Sequence, residues 1–264
     1  MNTEDPHVGL VIDGPIARIT LSNPVRRNAI TGGMWQQLTE IAHAVAANRD
    51  LRVAVICGEG KVAFASGADI SEFGESRRSA DQADAYHRAI QDALDAIAGI
   101  SFPVVAQIHG YCVGAGTAIA LACDLRYGDD AMRFGIPAAK LGIGYSPEWI
   151  RRLAAIVGEA TAAEILMSAK LFDARKAERC GFVNEITPAD ELAAFVEEQL
   201  SILARNAPLS LAAAKVCLRE IAAFDSARNW PAAHHAAEAC ALSRDYQNAL
   251  AAFANKQTPQ FVGE

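Results

Sequence analysis

The segment VVAQIHGYCVGAGTAIALACDLRY, residues 104–127, decides the fold. It begins as a β-branched apolar run at 104–108 and passes through a glycine-rich turn. It then continues as a small-residue helical pattern at 114–123 and returns to a strand pattern at 124–127. Strands that alternate with helices pair in parallel through right-handed crossovers. The segment therefore predicts a buried strand–helix–strand unit of an α/β sheet.

Similar patterns precede this unit. The run at 53–57 is short, apolar, β-branched and bounded by glycine, as expected for a buried strand. The other predicted elements are a hairpin of strands 8–12 and 16–21, a helix from the N-cap Thr31 to about Asn48, and a helix at 81–97.

The character of the chain changes after Asp190. Alanine-rich helical patterns cover 191–205, 209–223 and 230–254, without a strand pattern between them. These helices are too apolar to lie free in water, so they must pack on the core or on a second subunit. We therefore divide the chain into an α/β core at 1–190 and a helical oligomerisation region at 191–264.

Composition excludes several kinds of partner. The formal net charge is −7 and no Lys/Arg run occurs, which opposes binding to nucleic acid and to anionic membranes. The least polar stretch, 102–123, is interrupted by Pro103, Gln107 and His109, so we expect no membrane span. The acidic N-terminus lacks the pattern of a signal peptide, which favours a cytoplasmic protein. The scattered cysteines favour neither a disulfide framework nor a metal site.

Three glycine-rich segments, 64–70, 109–118 and 134–148, are the candidates for a functional site. The first two each follow a predicted strand, and the second opens a helix. Free backbone N–H groups at such turns can donate to an oxyanion. Taken singly, the first segment is better explained as an ordinary strand-to-helix loop in which glycine supplies a positive φ.

The third segment ends in a predicted helix start. Ser146 is a candidate N-cap and Pro147 suits the first helical position, which places Glu148 in the first turn. By itself, Glu148 there is expected to complement the helix dipole and to face solvent.

A dinucleotide-binding turn is a rival interpretation of Gly114-x-Gly116. The glycine pair lies several residues beyond the end of the strand instead of in the tight turn. The next strand also ends too early for a ribose-binding acid, which is expected ~20 residues on. These two features weigh against the rival interpretation.

Taken in order, the motifs resemble those of the enoyl-CoA hydratase/isomerase (crotonase) superfamily, and the resemblance covers nearly the whole chain. The matching motifs are Asn23-Pro24-Val25-Arg26-Arg27-Asn28-Ala29, Ser66-Gly67-Ala68-Asp69-Ile70, Gly110-Tyr111-Cys112-Val113-Gly114-Ala115-Gly116, Cys123-Asp124, Gly181-Phe182-Val183, Phe253-Ala254-Asn255-Lys256 and Pro259-Gln260-Phe261.

This resemblance implies a spiral of ββα units, a C-terminal trimerisation region, and a homotrimer or hexamer. It implies an acyl-CoA thioester substrate and no permanently bound cofactor. The thioester oxygen would be held by the backbone N–H groups of Ala68 and Ala115, which stabilise an enolate.

By the same resemblance, a further set of residues would contact the CoA portion of the substrate. Those residues are Arg26, Ala65, Ala68, Asp69 and Ile70 along its length, with Phe253 and Lys256 at the nucleotide end.

The chain differs from the family pattern at the two positions whose side chains perform hydration. The two glutamates that activate water there correspond to Ala118 and Ala138 here, and alanine cannot move a proton. Tyr145 and Glu148 are the remaining acid/base candidates. A dehalogenase is disfavoured because Ser146 stands nearest to the expected aspartate.

Three other functions stay open. A decarboxylase-like reaction could use Tyr145, although such relatives often carry histidine where this chain has Ala68. An acyl-CoA-binding protein without catalysis would keep the same loops. A serine hydrolase would need partners for Ser66, which lacks a GxSxG context. His109 is a candidate base, but a histidine before a glycine turn is more often structural.

Overall fold

The computed structural model describes residues 5–72, 80–223, 227–255 and 257–264. Lys256, which the resemblance places at the nucleotide end of CoA, lies outside the described residues. Phe253 is described only as a position in the last helix.

Within the described residues, the strands form a six-stranded and a four-stranded sheet. The strands are β1 (His7–Asp13), β2 (Ile16–Ser22), β3 (Val53–Gly58), β4 (Ala63–Ala65), β5 (Val104–Ile108), β6 (Tyr111–Val113), β7 (Leu125–Asp129), β8 (Arg133–Gly135), β9 (Phe172–Asp173) and β10 (Glu185–Thr187). The larger sheet has the order β1-β2-β3-β5-β7-β10 and the smaller one β4-β6-β8-β9.

Helices connect and cover these strands. The α-helices are α1 (Gly32–Ala47), α2 (Ala80–Gly99), α3 (Ala115–Ala122), α4 (Pro147–Val157), α5 (Glu159–Ser168), α6 (Ala174–Arg179), α7 (Leu192–Arg205), α8 (Pro208–Ala222), α9 (Trp230–Leu242) and α10 (Arg244–Ala254). Short 3₁₀ turns occur at Pro24–Arg26, Ile70–Glu72 and Pro137–Leu141.

The chain advances as a spiral in which successive strands alternate between the two sheets. In each of the pairs β3/β4, β5/β6 and β7/β8, the first strand joins the large sheet and the second joins the small one. In the large sheet, β2 to β10 pair in parallel, and only the β1–β2 hairpin is antiparallel. The parallel sheet, the hairpin and the ββα spiral are therefore confirmed.

Helix α3 passes through the centre of the core. Its sequence contains no charged residue, and all its residues from Gly116 to Ala122 are buried. A Cβ at Gly116 would lie 2.5 Å from the carbonyl oxygen of Ala65, closer than any real side chain approaches. Glycine at this position therefore allows the first turn of α3 to pack directly on β4.

Most element predictions are confirmed to within a few residues, but the pattern at 230–254 is wrong as a single helix. Ser243 has extended φ and ψ values and separates α9 from α10. Its hydroxyl donates to the carbonyl of Cys240 and accepts from the N–H of Tyr246, so it caps both helices. Side-chain periodicity continues across this break, which is why the pattern alone does not show it.

The proposed division at residue 190 stays a prediction. Helix α7 lies on the large sheet, where Leu192, Val196 and Leu200 share a buried cluster with strand residues. Phe195 meets Tyr127 edge to face, with ring centroids 5.2 Å apart. Helices α8 and α9 pack mainly on each other. In the described parts of the chain, no helix combines the length and apolar character that crossing a membrane requires.

Two buried asparagines hold the loop between β2 and α1 against β4. The Asn28 side chain donates to the carbonyls of Glu59 and Ala63 at 3.0 and 2.8 Å and accepts from the N–H of Asn23. Asn23 in turn donates to the carbonyl of Ala29. Asn28 also has φ of 57°, a left-handed conformation that asparagine tolerates better than most residues. The early asparagine motif is therefore a structural clamp.

We expect Asn28→Ala to lower the free energy of unfolding by about 3 kcal/mol, because buried backbone groups lose their partners. Asn28→Gly should cost about 1 kcal/mol less, since glycine adopts positive φ freely. Urea denaturation measures both. Arg27→Gly is the matched control, because exposed Arg27 also has positive φ (53°). A loss below about 0.5 kcal/mol in Asn28→Ala would contradict the clamp.

Candidate active site

The first loop of the site follows β4 and is held by the asparagine clamp. Ile30 donates its N–H to the carbonyl of Gly67, and Asp69 donates its N–H to the carbonyl of Ile30, both at 2.8 Å. These two bonds bracket Ala68, which forms an isolated parallel bridge with Ile30. The N–H of Ala68 itself has no acceptor among the described residues.

The second loop follows β6 and starts α3. Gly114 donates its N–H to the carbonyl of Gly135 at 2.9 Å, and the Thr117 hydroxyl is 2.8 Å from the carbonyl of Cys112. Ala115 is the first residue of α3, so its N–H has no partner within the helix. No other described residue accepts from it.

The two loops lie side by side at their glycines. Gly67 has φ of 122° and Gly114 has φ of 53°, conformations that favour glycine. A Cβ built on Gly114 would be 3.7 Å from the Cα of Gly67, and one on Gly67 would be 3.6 Å from the carbonyl oxygen of Val113. Ala68 and Ala115, each of which follows one of these glycines, therefore lie on adjacent loops. A free N–H donor at a helix N-terminus, such as that of Ala115, suits a developing oxyanion.

Tyr145 carries a buried hydroxyl with no hydrogen-bond partner in the described residues. Its ring packs on the main core. Burial, with a smaller contribution from Cys112, raises the pKa of the phenol well above its ordinary value. Tyr145 is thus neutral at physiological pH and can donate a hydrogen bond to a ligand.

The sequence profile of the enoyl-CoA hydratase/isomerase family matches residues 12–264. The chain belongs to the enoyl-CoA hydratase/isomerase family. Enzymes of this family act on CoA thioesters and need no permanent cofactor. Among the described residues, no group of three or more His, Cys, Asp or Glu side chains could hold a metal ion.

Individual relatives support the family assignment along the whole chain. A 2,3-dehydroadipyl-CoA hydratase of Escherichia coli is 30% identical over 245 residues, covering 93% of this chain and 94% of the relative. A probable enoyl-CoA hydratase of Mycobacterium tuberculosis is 31% identical, with coverages of 97% and 99%. The crystal structure of an enoyl-CoA hydratase/carnithine racemase from Magnetospirillum magneticum matches with a TM-score of 0.92 at 33% identity, covering 97% of this chain and 96% of that chain. The crotonase-like α/β fold is confirmed.

The positions that the resemblance aligns with the hydratase glutamates lie on two different elements. Ala118 is buried in α3, one turn after Ala115, and is 4% exposed. Ala138 lies in the 3₁₀ turn Pro137–Leu141 and is half-buried against the core. Neither methyl group can hold or move a proton.

Glu148 lies in the first turn of α4 and is exposed. Ser146 precedes the helix as expected, but its side chain makes no capping bond to the backbone. The Ser146 hydroxyl instead donates to the Glu148 carboxylate. This hydrogen bond, together with one from its own backbone N–H, lowers the pKa of Glu148. Glu148 is therefore ionised at neutral pH and has no proton to donate, and the lowered pKa makes its carboxylate a weaker base.

Arg26 and Asp69 form an ion pair beside the first loop. A guanidinium nitrogen of Arg26 is 2.7 Å from the Asp69 carboxylate and 2.6 Å from the Ser71 hydroxyl. Burial opposes ionisation of Asp69, but hydrogen bonds from Ser71 and the charge of Arg26 outweigh it and lower its pKa. The loop residues predicted to follow CoA are thus also bonded to one another.

The other predicted CoA contacts divide into buried and exposed positions. Ala65 is fully buried on β4, with its Cβ against Gly116. Ile70, in contrast, is 63% exposed at the start of a 3₁₀ turn. Ile70 can therefore meet a ligand through its side chain, whereas Ala65 shapes the loop by packing.

Two side chains considered as nucleophile or base have structural partners. The Ser66 hydroxyl donates to the carbonyl of Arg26 at 2.9 Å. His109 Nδ1 is 3.0 Å from the Asp129 carboxylate, and both residues are buried. Asp129 also accepts from the N–H of Gly110. The His109–Asp129 pair thus supports the turn before β6.

Sequence reasoning missed two arginines at the far end of α3, Arg126 and Arg152. Arg126 had a signal, because it is a charged residue in a strand that is paired on both sides. Arg152 had no such signal in the sequence, since an arginine in an amphipathic helix ordinarily faces solvent.

We expect Arg26→Met to raise the pKa of Asp69 toward its ordinary value of about 3.9. In the wild type, the pKa of Asp69 is lower in the folded than in the unfolded protein, and this difference stabilises the fold. The stabilisation is complete above the pKa of the unfolded state and is lost as the pH falls through the pKa of the folded state. The variant should therefore lose about 1 kcal/mol of unfolding free energy at pH 6, and this deficit should shrink toward pH 3.

Urea denaturation between pH 3 and pH 7 measures this dependence. Arg27→Met is the control, because exposed Arg27 does not contact Asp69 but stacks on Tyr111, 5.3 Å from the ring centroid. A deficit that stays constant with pH would contradict the ion pair.

Proposed function

We propose that this protein is an acyl-CoA-processing enzyme that stabilises a thioester enolate with the backbone N–H groups of Ala68 and Ala115. The observation that carries the proposal is the close approach of the loops that contain Gly67 and Gly114, each followed by a residue whose backbone N–H has no acceptor among the described residues. Removal of one such donor typically costs ~3–4 kcal/mol of transition-state stabilisation. An enolate next to a thioester carbonyl is a charge of the kind that such donors stabilise.

The proposal includes weak or absent hydration of enoyl-CoA. Hydration needs a group that takes a proton from water and a group that returns one to carbon. Ala118 and Ala138 stand at the positions that the resemblance gives to those groups. Relatives named as hydratases therefore support the CoA thioester as substrate, but not the addition of water by this chain.

A decarboxylase-like reaction is the second candidate, and the buried hydroxyl of Tyr145 favours it. In that reaction the bond between the α-carbon and a carboxylate breaks and carbon dioxide leaves. The electron pair stays on the thioester as an enolate, whose α-carbon then takes a proton from solvent water. The reaction needs no base, only donors that hold the carboxylate and the enolate oxygen. Tyr145 could supply the first donor and the two N–H groups the second.

We further propose a homotrimer or hexamer built through the C-terminal helices. Large apolar side chains remain exposed on α8, α9 and α10, and such surface is ordinarily covered by another chain. These residues are Leu218, Ile221, Leu242, Tyr246 and Leu250. The same proposal includes a cytoplasmic location. It also includes contacts between CoA and five residues, which are Arg26, Asp69, Ile70, Phe253 and Lys256.

A turnover screen tests the proposed function. The purified protein is assayed against crotonyl-CoA, methylmalonyl-CoA and other acyl-CoAs, with calorimetric binding alongside. We expect one thioester to be converted and crotonyl-CoA to be hydrated poorly or not at all. Binding without any turnover would favour the non-catalytic acyl-CoA-binding alternative, and absence of binding would overturn the CoA assignment.

Ala115→Pro should lower turnover by about 100- to 1,000-fold, because it removes one oxyanion donor. Proline is tolerated at the first helical position, and Gly114 before it has no Cβ to clash. Glu159→Pro is the matched control: Glu159 also begins a helix, α5, after a positive-φ glycine, but it is exposed. Equal activity in the two variants would contradict the role of the Ala115 N–H.

Tyr145→Phe should abolish or strongly reduce turnover while leaving the protein as stable as before, or more stable by about 1 kcal/mol. The reason is that an unpartnered buried hydroxyl costs free energy in the unliganded fold. Thermal denaturation and the activity assay are run on the same preparation, with Glu148→Gln for comparison. Retained activity in Tyr145→Phe would exclude Tyr145 as a donor to the substrate.

A further inference from the structure

The C-terminal carbonyls of α3 are bonded by two arginine side chains from outside the helix. Arg126, on β7, donates to the carbonyl of Cys123 at 2.9 Å and lies 3.5 Å from that of Ala120. Arg152, on α4, donates to the carbonyls of Leu121 and Ala122. The end of α3 opposite the oxyanion donor is therefore capped by two guanidinium groups.

Among the described residues, no carboxylate is bonded directly to either of these guanidinium groups. Arg126 is 5% exposed, and its guanidinium group donates to backbone carbonyls, including that of Phe182 at 2.6 Å. Burial lowers the pKa of both arginines, yet a guanidinium in a protein keeps its charge.

Other charges surround the cluster. Asp124 pairs with the Lys215 ammonium at 2.6 Å, so these two charges largely cancel. Arg151 and Asp95 also act on Arg152, with opposite signs. The cluster formed by Arg126, Arg152, Lys215 and Asp124 therefore has an excess of positive charge inside the protein.

Helix α3 is short, so charges at its C-terminal end can affect the electrostatic potential at its N-terminal residue, Ala115. Its eight residues span ~12 Å, so the negative end of the helix dipole is only that far from the N–H of Ala115. A unit positive charge at ~12 Å, with an effective dielectric constant of about 20, changes the stability of an anion by about tenfold. The guanidinium groups offset the negative helix end and add a positive potential along the axis.

We infer that Arg126 and Arg152 are positioning residues that act through α3 to strengthen the oxyanion hole at Ala115. The inference rests on the proposed function, because it requires an anionic oxygen at that end of the helix. The arginines do not touch the substrate. They hold the last carbonyls of the helix and raise the electrostatic potential at its first N–H.

The test uses acetoacetyl-CoA, whose enolate absorbs in the near ultraviolet, so its pKa can be titrated while it is bound to the protein. An oxyanion hole should lower the pKa of the bound ligand below that of free acetoacetyl-CoA. Arg152→Gln, which keeps a donor but loses the charge, should raise the bound pKa by about one unit. Arg152→Lys, which keeps the charge, should leave it nearly unchanged.

Control variants distinguish the electrostatic effect of the two arginines on the bound ligand from their contribution to the stability of the fold. Arg18→Met removes a cation that pairs with Glu197 at 2.8 Å, away from α3, and should not change the bound pKa. Arg126→Gln is the independent second variant if Arg152→Gln does not fold. A loss of stability alone would lower the fraction of protein that binds but would not shift the pKa of the bound ligand.

The possible outcomes distinguish a failure of this inference from a failure of the proposed function on which it rests. Equal shifts in Arg152→Gln and Arg152→Lys, or no shift in folded glutamine variants, would overturn the inference and leave the oxyanion hole intact. A wild-type protein that binds acetoacetyl-CoA without lowering its pKa would overturn the oxyanion hole itself. No binding to the wild type would overturn the CoA assignment, and with it this inference.

Discussion

The close approach of α3 to β4 is the constraint on which the site depends. Only a glycine at 116 lets the helix come so near, because any Cβ there would overlap the carbonyl of Ala65. The same approach aligns the loop after β4 with the loop before α3. A packing requirement in the core thus brings the two glycine-rich loops side by side, with no polar side chain needed.

The loop that carries Ala68 is held from the opposite side by the asparagine clamp. Asn28 ties the segment before α1 to β4, and Ile30 ties the same segment to Gly67. Several buried hydrogen bonds converge on one loop, so its backbone is ordered before a ligand arrives. Such preorganisation lets donors stabilise a developing charge without first having to reorient.

Much of the scaffold was predictable from local pattern, because periodicity and turn residues report local structure directly. The β1–β2 hairpin, the N-cap Thr31 and the strand Val104–Ile108 were all expected from such signals. The break at Ser243 was not, since a capping serine within an apolar helical pattern leaves the periodicity unchanged. The backbone partners of Arg126 and Arg152 were not predictable either, because every residue has a backbone carbonyl and residue type does not show which one is bonded.

The sequence by itself determined the α/β class, the order of the elements and the absence of acid/base side chains at 118 and 138, since these follow from residue types and their local spacing. It also located the glycine-rich segments, although each alone was compatible with an ordinary loop. Only the tertiary structure decided that the loops of Gly67 and Gly114 lie side by side, that the Tyr145 hydroxyl is buried without a partner among the described residues, and that Glu148 faces solvent. These facts depend on contacts between residues far apart in the chain, and local spacing carries no information about them.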